Sequence, residues 1–140
     1  MNQWNQFAAW LDNQRSLGLL ILRLGVGFII GWSGALKLFV FGFGGVINSF
    51  SKMGFFLPQV LGPFIALLEF FGGIAVALGL LTRLLGVLYT IEFLVAFFFV
   101  KIGSGYSNFR IDLALIAMAV VLATHGAGAI SLDAVLKKNR

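Results

Sequence analysis

Apolar residues fall into four blocks along the chain, each close to twenty residues long and separated by short polar or glycine-rich intervals. That is about the length an α-helix needs to cross a hydrocarbon core of roughly 30 Å. A core helix of a soluble protein would be interrupted sooner. The pattern predicts membrane spans at about 17–39, 60–81, 84–102 and 111–127. The interval around Thr82 and Arg83 is so short that the second and third spans must be antiparallel neighbours. Gly103-Ser104-Gly105 opens the turn into the fourth. The expectation is an all-α integral membrane four-helix bundle, with residues 1–140 as a single transmembrane domain.

Two segments outside the spans carry a periodicity of their own. Trp4, Phe7, Ala8 and Leu11 recur at helical spacing opposite Gln6, Asp12 and Asn13, which predicts a short interfacial helix on the membrane surface. Residues 1–16 have no basic stretch and no small-residue cleavage site, so no secretory signal peptide is expected. In the long connection 40–59, Val46, Ile47, Phe50 and Met53 fit one face of a helical turn, with Asn48, Ser49 and Lys52 opposite. That segment reads as a small helix or cap over the outer mouth of the bundle, ending at Pro58.

Composition narrows the chemistry. The chain is 60% hydrophobic and 11% charged, with a mean hydropathy of +1.01. A soluble domain is nearer a quarter charged. There is no cysteine, which excludes disulfides, thiolate metal sites, iron–sulfur clusters and dithiol relays. His125 is the single histidine, so one subunit cannot hold a haem between two histidines. No metal or haem is therefore expected from this chain alone. The net charge is +5 and the pI about 10.1, but the basic residues are scattered and lie mostly near span ends. There they face lipid headgroups, and nucleic acid is not an expected partner. Arg15, Arg23, Arg83, Lys137, Lys138 and Arg140 fall on the side of the termini, against Lys37, Lys52, Lys101 and Arg110 on the other. The positive-inside rule then puts both termini of this multi-pass protein in the cytoplasm.

The charges inside the spans are the candidate functional residues. Each costs at least about 2.5 kcal/mol near the bilayer centre, so it normally turns inward and finds a partner. At about 100° per residue, Arg23, Gly27, Ile30, Gly34 and Lys37 share one face of the first span. Glu69, Gly73 and Arg83 share one face of the second; Glu92 lies beside Tyr89 and Ala96 on the third, and Asp112 above Ala119 and Ala123 on the fourth. These stripes also carry the small residues through which membrane helices pack. The result is an expected polar interior with Arg23 close to Glu69 or Glu92. Two carboxylates facing one arginine leave a surplus acid, and Tyr89 adds a phenol. Such parts could build a small site that exchanges protons with a bound quinone. Glu69, Glu92 and Arg23 are the candidate catalytic residues, and Tyr89, Lys37 and Asp112 the candidate quinone-binding ones. The bland alternative is that the same pairs only fix which helix neighbours which.

Several short motifs resemble the DoxX family. Arg23-Leu24 leading to Gly34-Ala35-Leu36-Lys37-Leu38-Phe39 is similar to its first helix. Leu68-Glu69-Phe70-Phe71-Gly72-Gly73, followed by Gly79-Leu80-Leu81-Thr82-Arg83, resembles its most recognisable stretch. Asp112 stands where an acidic residue, usually glutamate, opens the family's last helix. Gly54-Phe55-Phe56-Leu57-Pro58 is similar to a Gly-Leu-Pro element, with two residues more between glycine and proline. The resemblance runs from about Leu17 to Leu136. It implies a four-helix membrane bundle and an association with redox chemistry, relatives including the membrane subunit of a thiosulfate:quinone oxidoreductase. The leading expectation is a membrane subunit of quinone-linked oxidoreduction, with a redox protein partner supplying electrons. A carrier for a small lipid-like molecule and a structural anchor for a soluble enzyme remain open alternatives, as does self-association into a homo-oligomer.

Overall fold

The computed structural model describes residues 2–140, and every described element is helical. In chain order these are α1 (Gln3–Asp12), α2 (Arg15–Ala35), α3 (Gly42–Lys52), α4 (Pro58–Leu78), α5 (Thr82–Val95), α6 (Tyr106–His125) and α7 (Leu132–Lys138). Wide π-type turns, Leu36–Phe41 and Ala96–Lys101, extend α2 and α5. Four helical stretches among the described residues are long and apolar enough to cross a membrane: Arg15–Lys52, Pro58–Leu78, Thr82–Lys101 and Tyr106–His125. Large apolar side chains such as Phe28, Trp32, Phe71 and Phe99 point outward, as lipid-facing residues must.

The four long helices pack as two intimate antiparallel pairs, α2 with α4 and α5 with α6. Both seams are made of residues with almost no side chain. A Cβ added to Gly27 would lie 2.6 Å from the Gly73 carbonyl oxygen, and one on Gly73 would lie 2.5 Å from the Gly31 nitrogen. Across the other seam, a Cβ on Gly86 would lie 2.6 Å from the Ala123 nitrogen. Small residues let membrane helices approach to backbone contact, where dispersion and weak Cα–H···O contacts replace the missing hydrophobic drive.

The ends are finished by specific chemistry. Asn2 caps α1 by accepting from the Asn5 N–H at 2.9 Å. No residue of α1 is buried, and Trp4, Phe7, Trp10 and Leu11 stay uncovered by the protein, as suits a helix lying among headgroups. Gly42, at φ +69°, turns the chain out of the first span, so that α3 folds over the start of α4 and buries Val46 against Gly62. This gives the expected cap, with Asn48, Ser49 and Lys52 exposed. The first span is thus joined to α3 by the wide turn Leu36–Phe41, and the chain changes direction at Gly42, close to the boundary expected near residue 40.

Gly79, at φ +77°, ends α4. Leu81 follows with φ +52°, and α5 starts without a cap of its own. Asp133 of α7 supplies it, accepting from the Leu81 N–H at 2.9 Å and the Thr82 N–H at 3.0 Å. The break at Gly79 also corrects one expectation. Arg83 belongs to α5, not to the Glu69 face, and donates to the Ala123 and Thr124 carbonyls at the end of α6.

Candidate functional site

The glycine seam fixes the axial register of α2 against α4, and that register selects the charge pair. Because the helices run antiparallel with Gly27 and Gly31 on Gly73, residues later in α2 meet residues earlier in α4. Gly34 consequently abuts the backbone of Glu69 and Phe70, and Lys37, one turn further on, meets the Glu69 carboxylate. Lys37 sits in the first wide turn, a geometry frequent at functional positions. Its Nζ donates to Glu69 Oε2 and, at 2.8 Å, to Ser33 Oγ, which itself donates to Glu69 Oε2 at 3.0 Å. Glu69 is 4% exposed.

A second pair repeats the arrangement across the other seam. Lys101 closes the second wide turn and donates to Asp112 Oδ2 on α6 at 2.8 Å. Each helix pair thus sets a lysine from a widened turn against a carboxylate on its antiparallel neighbour. Both pairs line one partly open cavity of about 680 Å³. Its walls are mainly apolar, including Ile29, Ile65, Leu68 and Ile91, with Phe50, Met53 and Phe55 contributed by the cap segment. Glu92 of α5 lines it too, and its Oε2, shielded from solvent, finds no hydrogen-bond partner among the described residues. Buried polar atoms are nearly always paired, so this one marks a place where chemistry or a ligand is expected.

Of the residues singled out from sequence, Glu69, Glu92, Lys37 and Asp112 converge on this cavity. Arg23 does not. It lies 14 residues before Lys37, about 21 Å along a helix at 1.5 Å per residue. It is buried (1% exposed) at the end near the termini, donating to the Ile130 carbonyl and filling the space above Gly79. The expected Arg23–Glu69 or Arg23–Glu92 contact is therefore replaced by Lys37–Glu69. Helical periodicity gives the face on which a charge lies, not its height.

Tyr89 is fully buried but stands behind the cavity wall. Its hydroxyl passes over Gly72 and donates to the Leu68 carbonyl at 2.8 Å, which ties α5 to α4. Ser33 was not singled out from sequence, although its place one turn before Lys37 was a usable signal. Asn108, which also lines the cavity, had none beyond its polarity near a span end.

The family model described as DoxX matches residues 18–102. A Bacillus subtilis (strain 168) protein named "Putative oxidoreductase CatD" is 32% identical over 131 residues, covering 93% of this chain and 95% of that protein. No solved structure matches. The matched segment includes most of α2, the cap, the Glu69 helix and the Glu92 helix, and the chain belongs to the DoxX family of membrane proteins.

Proposed function

We propose that this chain is a membrane subunit of quinone-linked oxidoreduction, with the cavity between the two helix pairs as the place where a quinone headgroup binds. The observation that carries the reading is the pairing, on one largely apolar wall, of a lysine-held carboxylate with a carboxyl that lacks a partner. A quinone supplies two-electron, two-proton redox chemistry when bound. Lys37 spends two of its three N–H donors on Ser33 and Glu69, leaving one to orient a carbonyl oxygen. Glu92 has a free oxygen with which to give or take a proton, and Glu69 offers a second carboxylate beside it. With no cysteine and one histidine, the chain leaves electron delivery to a redox protein partner. The relative named as an oxidoreductase supports the same direction. A volume of about 680 Å³ falls within the roughly 300–1,000 Å³ usual for small-molecule sites.

Mass spectrometry of small molecules extracted from protein purified in mild detergent tests this directly. A quinone retained near one per chain is the expected result. Retention of a non-quinone lipid alone would favour a carrier, and the absence of any specific ligand would favour an anchor; either would overturn the quinone reading.

In the cell membrane, both termini are proposed to face the cytoplasm, which places Arg15, Lys137, Lys138 and Arg140 on the side favoured for positive charge. Single cysteines at Lys52 and Lys138 can be probed with an impermeant maleimide on intact cells, the native chain having no thiol to interfere. Labelling at 52 and protection at 138 is expected. The opposite pattern would invert the topology.

A further inference from the structure

We infer that the cavity also takes up membrane-partitioning organic cations, each exchanged for a proton held by Glu92. The inference rests on the charges around the cavity and stands apart from the quinone reading. The titratable groups facing Glu92 can be assigned element by element. Lys37 of the first wide turn is engaged with Glu69 of α4, and Lys101 of the second with Asp112 of α6. Tyr89, on the same helix as Glu92, has its hydroxyl committed to Leu68. Three carboxyl groups therefore meet two lysines, and the one left over is Glu92, whose Oε2 has no partner among the described residues. A second carboxylate set beside Glu69 among mainly apolar walls, with no cation of its own, is disfavoured, and Glu92 holds a proton instead.

The proton keeps the cavity neutral, and a monovalent cation would do the same. When such a ligand enters, the Glu92 O–H bond breaks, the proton passes to water, and the ligand's positive charge takes its place. No electrons move, and the net charge of the cavity is unchanged. Its walls favour an organic cation over a metal ion. Outside the two ion pairs they offer a single carboxyl group and otherwise mainly apolar side chains, too few ligands to replace the hydration shell of a small ion. Phe50, Phe55, Phe64 and Phe93 line the same space, and aromatic rings attract cations to their faces. An anion has no spare lysine to meet.

Tetraphenylphosphonium is a suitable probe, with tetraphenylborate as an anion of the same shape. Purified protein should bind the cation saturably, and the anion far more weakly. Affinity should rise with pH by up to about tenfold per unit, because one proton is displaced. A weakly buffered solution should acidify by one proton per cation bound. Glu92→Gln should remove the pH dependence and most of the affinity, whereas Glu92→Asp should keep the dependence. Should Glu92→Gln fail to fold, proton release by the wild-type protein decides the matter. Equal binding of cation and anion, binding without proton release, undiminished binding by folded Glu92→Gln, or no saturable binding would each overturn the proposal. The quinone reading is judged separately, by what the wild-type protein retains on purification.

Discussion

Gly73→Leu is expected to prevent recovery of a monodisperse protein from detergent, while Gly25→Leu leaves both yield and melting temperature close to wild type. Both substitutions put the same side chain into a membrane helix, so lipid preference cannot separate them. What differs is the space. A Cβ at Gly73 would lie 2.5 Å from the Gly31 nitrogen and 2.8 Å from the Gly27 oxygen, whereas nothing lies within 4 Å of one at Gly25. Overpacking usually costs about 1–3 kcal/mol, part of which is recovered by rotamer shifts. Here the obstructing atoms are backbone and cannot rotate away, so the cost should reach or exceed the top of that range. Fluorescence-detected gel filtration after a temperature series would measure it. A Gly73→Leu variant that melts like wild type would show that the two helices do not touch along this seam.

Lys37→Met should be the most damaging single change at the cavity, and adding Glu69→Leu should largely repair the fold without restoring ligand retention. Removing one partner of a buried ion pair leaves the other uncompensated, a loss of about 3–5 kcal/mol, while replacing both by apolar residues is often neutral or stabilising. Ser33 alone cannot neutralise Glu69, because a hydroxyl lends a hydrogen bond but no charge. Melting temperature and retained quinone, measured on the single and double variants, separate two roles that a single substitution confounds. A structural pair predicts that repair of the fold also repairs retention. If the double variant, folded and stable, retained quinone at the wild-type level, Lys37 and Glu69 would have no part in binding it.

How far the sequence could be read depended on which coordinate of a helix was in question. Length and azimuth are local properties. The presence of four long apolar helices, the inward face of α2 carrying Gly27, Ile30 and Gly34, and the amphipathic cap with Val46 inward and Lys52 outward all followed from spacing along one helix. Axial register is not local. Whether Glu69 meets Arg23 or Lys37 depends on which glycines of α2 lie against Gly73, and both residues fall on one face of the first span in sequence. An arginine looked the natural partner because its side chain is long and its face glycine-rich. The seam instead carries Arg23 to Gly79 and Lys37 to Glu69. The role of Asp133 was hidden for a related reason, since the N–H groups it caps lie 52 and 51 residues away in the chain. Ser33 was the avoidable omission, as its distance of four residues from Lys37 is a within-helix relation.

The backbone-to-backbone seams also decide where this protein can yield. Within each pair, α2 with α4 and α5 with α6, sliding or separation would pull backbone from backbone and break the ion pair at its end, Lys37 with Glu69 or Lys101 with Asp112. Each pair should therefore move as one stiff leaf. Between the leaves the backbones approach less closely, chiefly α2 with α6 and α4 with α5; the buried core of Val26, Ile30, Val76, Leu85, Leu115 and Leu122 joins them, and the cavity occupies the rest of that interval. Tyr89, donating from one leaf to the Leu68 carbonyl of the other, acts as a pin through the spine of a book. A molecule entering from the bilayer would part the two leaves around that pin, widening the cavity while leaving Lys37 on Glu69 and Lys101 on Asp112, since each of those bonds lies within a single leaf.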